Sequence, residues 1–277
     1  MLAAVLAAAL MHAGWNAAIK LRLDRQTAVL LLSIVQGGMA ALMLWAVALP
    51  AAAALPYLLL SAVLHSAYKL VLAAAYHRAD MAVVYPLARG FAPCAVAIAA
   101  ALLLGEVLGP LEIVAVCAIA AGVMLMSLRG GAAGRGLTPE VTALALTTAL
   151  LTAAYTLVDG QGARLAGSAT AFVLWMFALD AVVMTAASLA MRGRAAFSGL
   201  AGAAWPGFVA GALSLGSYWI AVWAMTRAPI ALVAALRETS VLFALLISAL
   251  WLGEPLTRWR VLAGLMILAG VVGMRIG

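Results

Sequence analysis

Charge is scarce in this chain. Only 9% of its 277 residues are Asp, Glu, Lys or Arg, and 68% are hydrophobic. An ordinary soluble domain carries about 25% charged and roughly 45–50% apolar residues, so a soluble globular fold is excluded. Cysteine is nearly absent. Cys94 and Cys117 both lie inside hydrophobic runs, without metal-ligand spacing, which rules out a disulfide framework and a thiolate metal site. Acidic residues number nine against sixteen Lys and Arg. The resulting charge of +7 does not describe a nucleic-acid surface, because the basic residues sit at the ends of hydrophobic runs. No HExxH, no paired aspartates and no convergent Ser/His/Asp group is present. The expectation is therefore a non-enzyme, with no catalytic residue, no metal, no cofactor and no nucleic-acid partner.

What the chain has in abundance is apolar runs of about 20 residues, each long enough to cross a hydrocarbon core. Met1–Leu10 lacks a positive leading segment and its run continues through Trp15 to Lys20, so it reads as a spanning helix, not a cleaved signal. Ten spans fit: residues 2–20, 26–49, 56–76, 81–104, 110–128, 139–158, 168–191, 205–225, 229–252 and 256–275. Pro50, Pro56, Pro110, Pro139, Pro206, Pro229 and Pro255 fall at the junctions, where a first-turn proline forfeits no helical hydrogen bond. The fold expected is all-α, with ten transmembrane helices in two five-helix repeats: residues 1–128, a linker at 129–138, and 139–277.

The repeat is visible directly. Arg89, Leu104-Gly105-Glu106, Ile119, Ala121-Gly122-Val123 and Met126 return at a constant offset. They become Arg237, Leu252-Gly253-Glu254, Ile267, Ala269-Gly270-Val271 and Met274. A fixed register without gaps marks a tandem duplication. Five helices per repeat is an odd number, so the second repeat must enter from the opposite side, the inverted arrangement common among secondary transporters. Loops after odd-numbered helices carry Lys20, Arg22, Arg25, Arg78, Arg129, Arg135, Arg192, Arg194, Arg258 and Arg260; the other side carries Arg164, Arg227 and Arg275. Basic residues concentrate in cytoplasmic loops, so both termini are expected outside.

Polar residues within the spans need a reason, since a charged side chain at a helix centre costs roughly 2.5–3.5 kcal/mol on insertion. Five such residues stand out: Lys69, Arg89, Asp180, Arg237 and Glu238. Three positive and two negative charges leave one cation over, which favours an anionic group such as a solute carboxylate. Pro86 and Pro93 lie inside the fourth span, and Pro93 frees the carbonyl of Arg89, so a bent, wet segment is expected there. Polar stripes at helical spacing comprise His12, Trp15, Asn16 and Lys20; His65, Tyr68, Lys69 and Tyr76; and Thr148, Thr152, Tyr155, Thr156 and Asp159. Tyr218, Trp219 and Trp223 lie deep in the eighth span, where Gly207 and Gly211 allow close helix packing.

The half-length duplication, the Leu-Gly-Glu turns followed by Ala-Gly-Val helices, and His12-Ala13-Gly14-Trp15-Asn16 together resemble the drug/metabolite transporter superfamily, EamA family. The second repeat carries most of the likeness, through Leu252-Gly253-Glu254-Pro255, Gly264 and Leu268-Ala269-Gly270-Val271-Val272; the first has Val116 where Gly264 sits. The resemblance implies an inner (cytoplasmic) membrane exporter of amino acids or related small metabolites, working by alternating access. Alternatives are a flippase for a lipid-linked precursor and a membrane-embedded lipid enzyme. Solute-binding residues are expected among His12, Trp15, Asn16, Tyr68, Lys69, Tyr85, Arg89, Tyr155, Tyr218, Trp219, Arg237 and Glu238. In particular, Trp15, Tyr85, Arg89 and Glu238 are expected to share one cavity. The partners expected are a small-molecule solute, membrane lipid, and no second subunit.

Overall fold

The structure, a computed structural model, describes residues 1–18, 23–78, 81–130, 138–251 and 256–276. Eleven α-helices follow one another in these residues, and no strand is present among them. They are α1 (Leu2–Ala18), α2 (Arg25–Met43), α3 (Leu55–Arg78), α4 (Met81–Leu104), α5 (Pro110–Gly130) and α6 (Pro139–Leu165). Then come α7 (Ala169–Arg192), α8 (Ala204–Met225), α9 (Ile230–Arg237), α10 (Ser240–Trp251) and α11 (Arg258–Ile276). Among the described residues eight segments are long and apolar enough to cross a membrane, with α9 and α10 counting as one; the apolar parts of α1 and α5 are shorter. The outer surface carries many large apolar side chains. Trp45, Leu102, Leu250 and Trp205 are all exposed, as only a lipid solvent would accept.

Helix boundaries follow local chemistry. Asp24, Thr138 and Ser168 each accept a backbone N–H of the first turn of α2, α6 and α7, satisfying a donor that has no partner within the helix. Pro110 and Pro139 open α5 and α6. Gly193 ends α7 at φ +57°, a conformation that costs glycine nothing.

Two expectations fail along the chain. The fourth span does not break: α4 runs unbroken through Pro86 and Pro93. A proline removes one backbone hydrogen bond, and packing against α5 and α6 holds the helix through that loss. The break falls in the ninth span, between α9 and α10. There Glu238 N–H bonds to the carbonyl of Ala235 and Thr239 N–H to that of Leu236, tightening the turn. The Thr239 hydroxyl also donates to the Leu236 carbonyl at 2.7 Å, competing with the next helical bond.

Packing repeats itself when each helix is exchanged for its counterpart in the other half. α3 lies along α6 as α8 lies along α1; α3 meets α7 as α8 meets α2; α2 pairs with α7, and α5 with α11. The α5–α11 seam shows this atom by atom. A Cβ on Gly122 would lie 2.7 Å from Ile267 and 2.8 Å from the Ala263 carbonyl oxygen. A Cβ on Gly270 would lie 2.6 Å from Ile119 and 2.7 Å from the Ala115 carbonyl oxygen. Each contact is the other shifted by the repeat. Gly207 and Gly211 of α8 sit against Leu31 and Val35 of α2, the close approach their spacing implied.

Polar ties join the loops within each end. Arg192 pairs with Asp24 at 2.8 Å, and Arg78 with Glu140, at the end where α1, α3 and α7 finish. At the other end Arg164 pairs with Glu106 at 2.7 Å and the Ala51 amide donates to the Ala166 carbonyl.

Candidate solute-binding cavity

A cavity of about 140 Å³ lies between helices of both halves. Its mouth is beside Arg25 and Tyr76, at the N-terminus of α2 and the C-terminal turn of α3. The Arg25 guanidinium rests 5.7 Å over the Tyr76 ring. Its walls carry His12 and Trp15 of α1, Gln36 of α2, and Ser214 and Ser217 of α8. Trp15 Nε1 donates to His12 Nδ1 at 3.2 Å, which fixes that nitrogen as an acceptor.

The floor is aromatic. His65 lies tilted by 30° against Tyr155 with centroids 4.1 Å apart, Tyr218 stands edge-on to His65 at 5.2 Å, and Tyr68 stands edge-on to Tyr155 at 5.4 Å. Phe177 closes the group, 5.8 Å from Tyr218. Below this layer lies Asp159, wholly buried, accepting hydrogen bonds from Ser61 and Tyr218 and meeting His65 Nε2 at 2.8 Å. A buried carboxylate needs this number of partners to remain tolerable. Beyond it the protein is sealed by Glu106, whose Oε2 accepts the Ile230 amide at 2.8 Å. Arg164 there donates to the carbonyls of Met225 and Ala228 at 2.9 and 3.0 Å.

Three cations meet the cavity wall at depth, in different electrostatic situations. Lys69 Nζ donates to Asp180 and, at 2.8 Å, to Ser33; Ser66 donates to the other oxygen of Asp180 at 3.0 Å. Arg89 faces Glu238, with Nε 3.0 Å from Oε2 but not aligned as a hydrogen bond, and it reaches Ser240 at 3.5 Å. Arg237 is different. Its guanidinium lies 4.8 Å over the Tyr218 ring, nine-tenths buried, and no carboxylate is within ion-pair distance among the described residues.

Of the twelve residues singled out in the sequence, eight line the cavity: His12, Trp15, Tyr68, Lys69, Arg89, Tyr155, Tyr218 and Arg237. The side chains of Asn16 and Tyr85 lie outside the described residues, as do the second Leu-Gly-Glu turn and residues 131–137 of the linker. Trp219 turns away, its Nε1 donating to Thr170 at 3.1 Å. Glu238 stands behind Arg89, in a small pocket with Pro93, Thr152 and Thr156, and does not share the cavity with Trp15. Arg89 is the cation paired with it, and Arg237, which lines the same small pocket, acts on it from farther away.

The charge count also changes. Asp159 fell one residue past the sixth span as drawn, yet α6 runs on to Leu165 and buries it. Three buried carboxylates therefore match three cations in number, and the one-cation excess is not an excess of composition. It is an excess of place: Asp159 is committed to Ser61, His65 and Tyr218, away from Arg237. Its position four residues after Tyr155, on the same helical face, was the signal that pointed to it. Gln36 was not singled out; its Nε2 donates to Ser214 at 2.9 Å.

A bundle of apolar helices enclosing a cavity lined in part by buried charged side chains fits a multi-pass membrane protein. Residues 141–276 match the model of the EamA-like transporter family, and by that match the chain belongs to this family, within the drug/metabolite transporter superfamily. Members are membrane transporters of small solutes, not enzymes. A comparison with curated proteins finds no match. A solved structure described only as a crystal structure of a protein is similar at TM-score 0.77 and 17% identity, over 99% of this chain and 94% of its own. At that identity the likeness concerns the fold alone.

Proposed function

We propose that this chain is a secondary transporter that exports small carboxylate-bearing solutes, amino acids and related metabolites, across the cytoplasmic membrane by alternating access. The observation that carries the reading is Arg237: a nine-tenths buried cation in a cavity wall with no carboxylate within ion-pair distance among the described residues, its neighbour Glu238 being paired with Arg89. A solute carboxylate supplies the missing counter-charge. Trp15, Tyr68, Tyr155 and Tyr218 surround the solute body, and His12 faces it from α1. Arg89 and Lys69 act mainly as the cationic halves of ion pairs that hold α4 to the ninth span and α3 to α2 and α7.

Alternating access is supported by the asymmetry of the two ends. The cavity reaches the surface beside Arg25 and is closed at the far end by the Asp159 layer and the Glu106–Arg164 tie. Charge asymmetry of the loops assigns the open end to the cytoplasm, so this conformation is the loading state of an exporter. The exchangeable packing of the halves, and the Gly122–Ile267 and Gly270–Ile119 contacts above all, supports ten spans in two inverted repeats, 1–128 and 139–277, joined by 129–138. The test is exchange in proteoliposomes. Purified protein loaded with an unlabelled amino acid should accumulate the same labelled amino acid from outside, and Arg237→Gln should abolish it. Absence of exchange with every amino-acid-sized carboxylate tried would refute the reading.

A further inference from the structure

The cavity wall is chemically one-sided. Among the described residues its ionisable groups are Arg25, Lys69, Arg89, Arg237 and two histidines, and it contains no Asp or Glu. Each carboxylate in reach is already occupied and lies off the wall: Asp180 on Lys69 and Ser66, Glu238 on Arg89, Asp159 beneath the floor with Ser61, His65 and Tyr218. Among the described residues neither Arg25 at the mouth nor Arg237 at the floor has a carboxylate within ion-pair distance; Glu238, paired with Arg89, acts on Arg237 only from farther away. A cleft lined by charge of one sign concentrates solutes of the opposite sign and repels those of its own.

An ammonium group entering this space would lose water and meet, among the described residues of the wall, neutral acceptors alone. Those available are the oxygens of Gln36, Ser214, Ser217 and the tyrosines. One of them, the Gln36 carbonyl oxygen, is buried without a hydrogen-bond partner. Neutral oxygens satisfy a hydroxyl but do not offset a buried positive charge.

Resting on the carboxylate reading above and narrowing it, we propose that the cavity selects net-anionic organic acids over zwitterions. Arg237 binds the anionic group, the ring layer of Tyr155 and Tyr218 holds the apolar body, and a hydroxyl or no donor stands where an amino acid has its ammonium. Arg237 is then the specificity-determining residue.

Three probes of one skeleton test this: 4-methylpentanoate, 2-hydroxy-4-methylpentanoate and leucine, titrated into purified protein at pH 7 by calorimetry or by the fluorescence of Trp15 and its fellow tryptophans. Both anions should bind about tenfold or more tighter than leucine, the ratio expected when one charged group is left without a counter-charge. Arg237→Gln should reduce anion binding by about ten- to a hundredfold and bring the three probes close together, while Arg237→Lys keeps part of the preference. The wild-type ranking needs no variant and so does not depend on the variants folding. Leucine binding as tightly as, or tighter than, the two anions would overturn the proposal and leave the carboxylate reading standing. Binding by none of the three would overturn both.

Discussion

Removing one partner of the Lys69–Asp180 pair is the sharpest test of how the buried charges are arranged. Lys69 Nζ donates to Asp180 and Ser33, and Asp180 also takes Ser66; the two charged side chains are 7% and 0% exposed. Asp180→Leu leaves the ammonium with the Ser33 hydroxyl alone. Breaking a buried pair from one side costs about 3–5 kcal/mol, because the remaining charge stays desolvated. At roughly 2–4 °C per kcal/mol for a chain of this size class, the melting temperature should fall by about 6–20 °C. Lys69→Met should lose a comparable amount by stranding the carboxylate. The double variant Lys69→Met/Asp180→Leu removes both charges and should recover most of the loss, since an apolar pair of similar volume is often neutral or better. Thermal unfolding of the four detergent-purified proteins forms a double-mutant cycle. If the single variants melt like wild type, or their losses simply add in the double, the pair is not the buried unit described.

Gly122→Ala and Gly270→Ala should destabilise by similar amounts, about 1–3 kcal/mol, because each new methyl meets a backbone carbonyl across the α5–α11 seam; a loss at one position and none at the other would break the equivalence of the two contacts. Separating the Glu106–Arg164 tie with Glu106→Gln should raise labelling from outside of a cysteine placed at Ala228, with charge-swapped Glu106→Arg/Arg164→Glu restoring partial protection; unchanged labelling would show that this tie does not hold the far end shut. Burial alone would raise the Asp24 carboxyl, but hydrogen bonds from Thr27 and Arg192 hold it down at about 2, against 3.8 ordinarily. A carboxyl depressed on folding stabilises above its ordinary range, so the melting difference between wild type and Asp24→Asn should be constant above about pH 5 and shrink as pH falls from 3.8 towards 2. A reporter active only in the cytoplasm, fused after Gly277, should be silent; strong activity would invert the assigned orientation.

Much of the architecture was legible before any coordinate. Low charge and recurrent 20-residue apolar runs dictate membrane helices, because only a helix satisfies its own backbone in hydrocarbon. Junction prolines mark where helices begin. The shifted copy of Gly122 and Ile119 at Gly270 and Ile267 already contained the α5–α11 seam, since equal residues in equal places can pack as equals. The polar stripes were legible too, because lipid offers them no hydrogen bond and they must turn inward.

Which stripe residues meet, and with what, was decided only by the tertiary structure. Three cations and three carboxylates can pair in several ways, and sequence distance says nothing about which side chains are brought within 3 Å. Packing assigned Lys69 to Asp180 and Arg89 to Glu238, and sank Asp159 under the aromatic floor with Ser61, His65 and Tyr218. That left Arg237 facing the cavity. The same packing decided that α4 tolerates two prolines while the ninth span yields at Glu238 and Thr239, where tighter backbone bonds and the Thr239 hydroxyl take the place of the regular helical bonds. Local propensity acts within a few residues along the chain; burial and charge compensation act across helices far apart in it, and in this protein they determined the binding cavity.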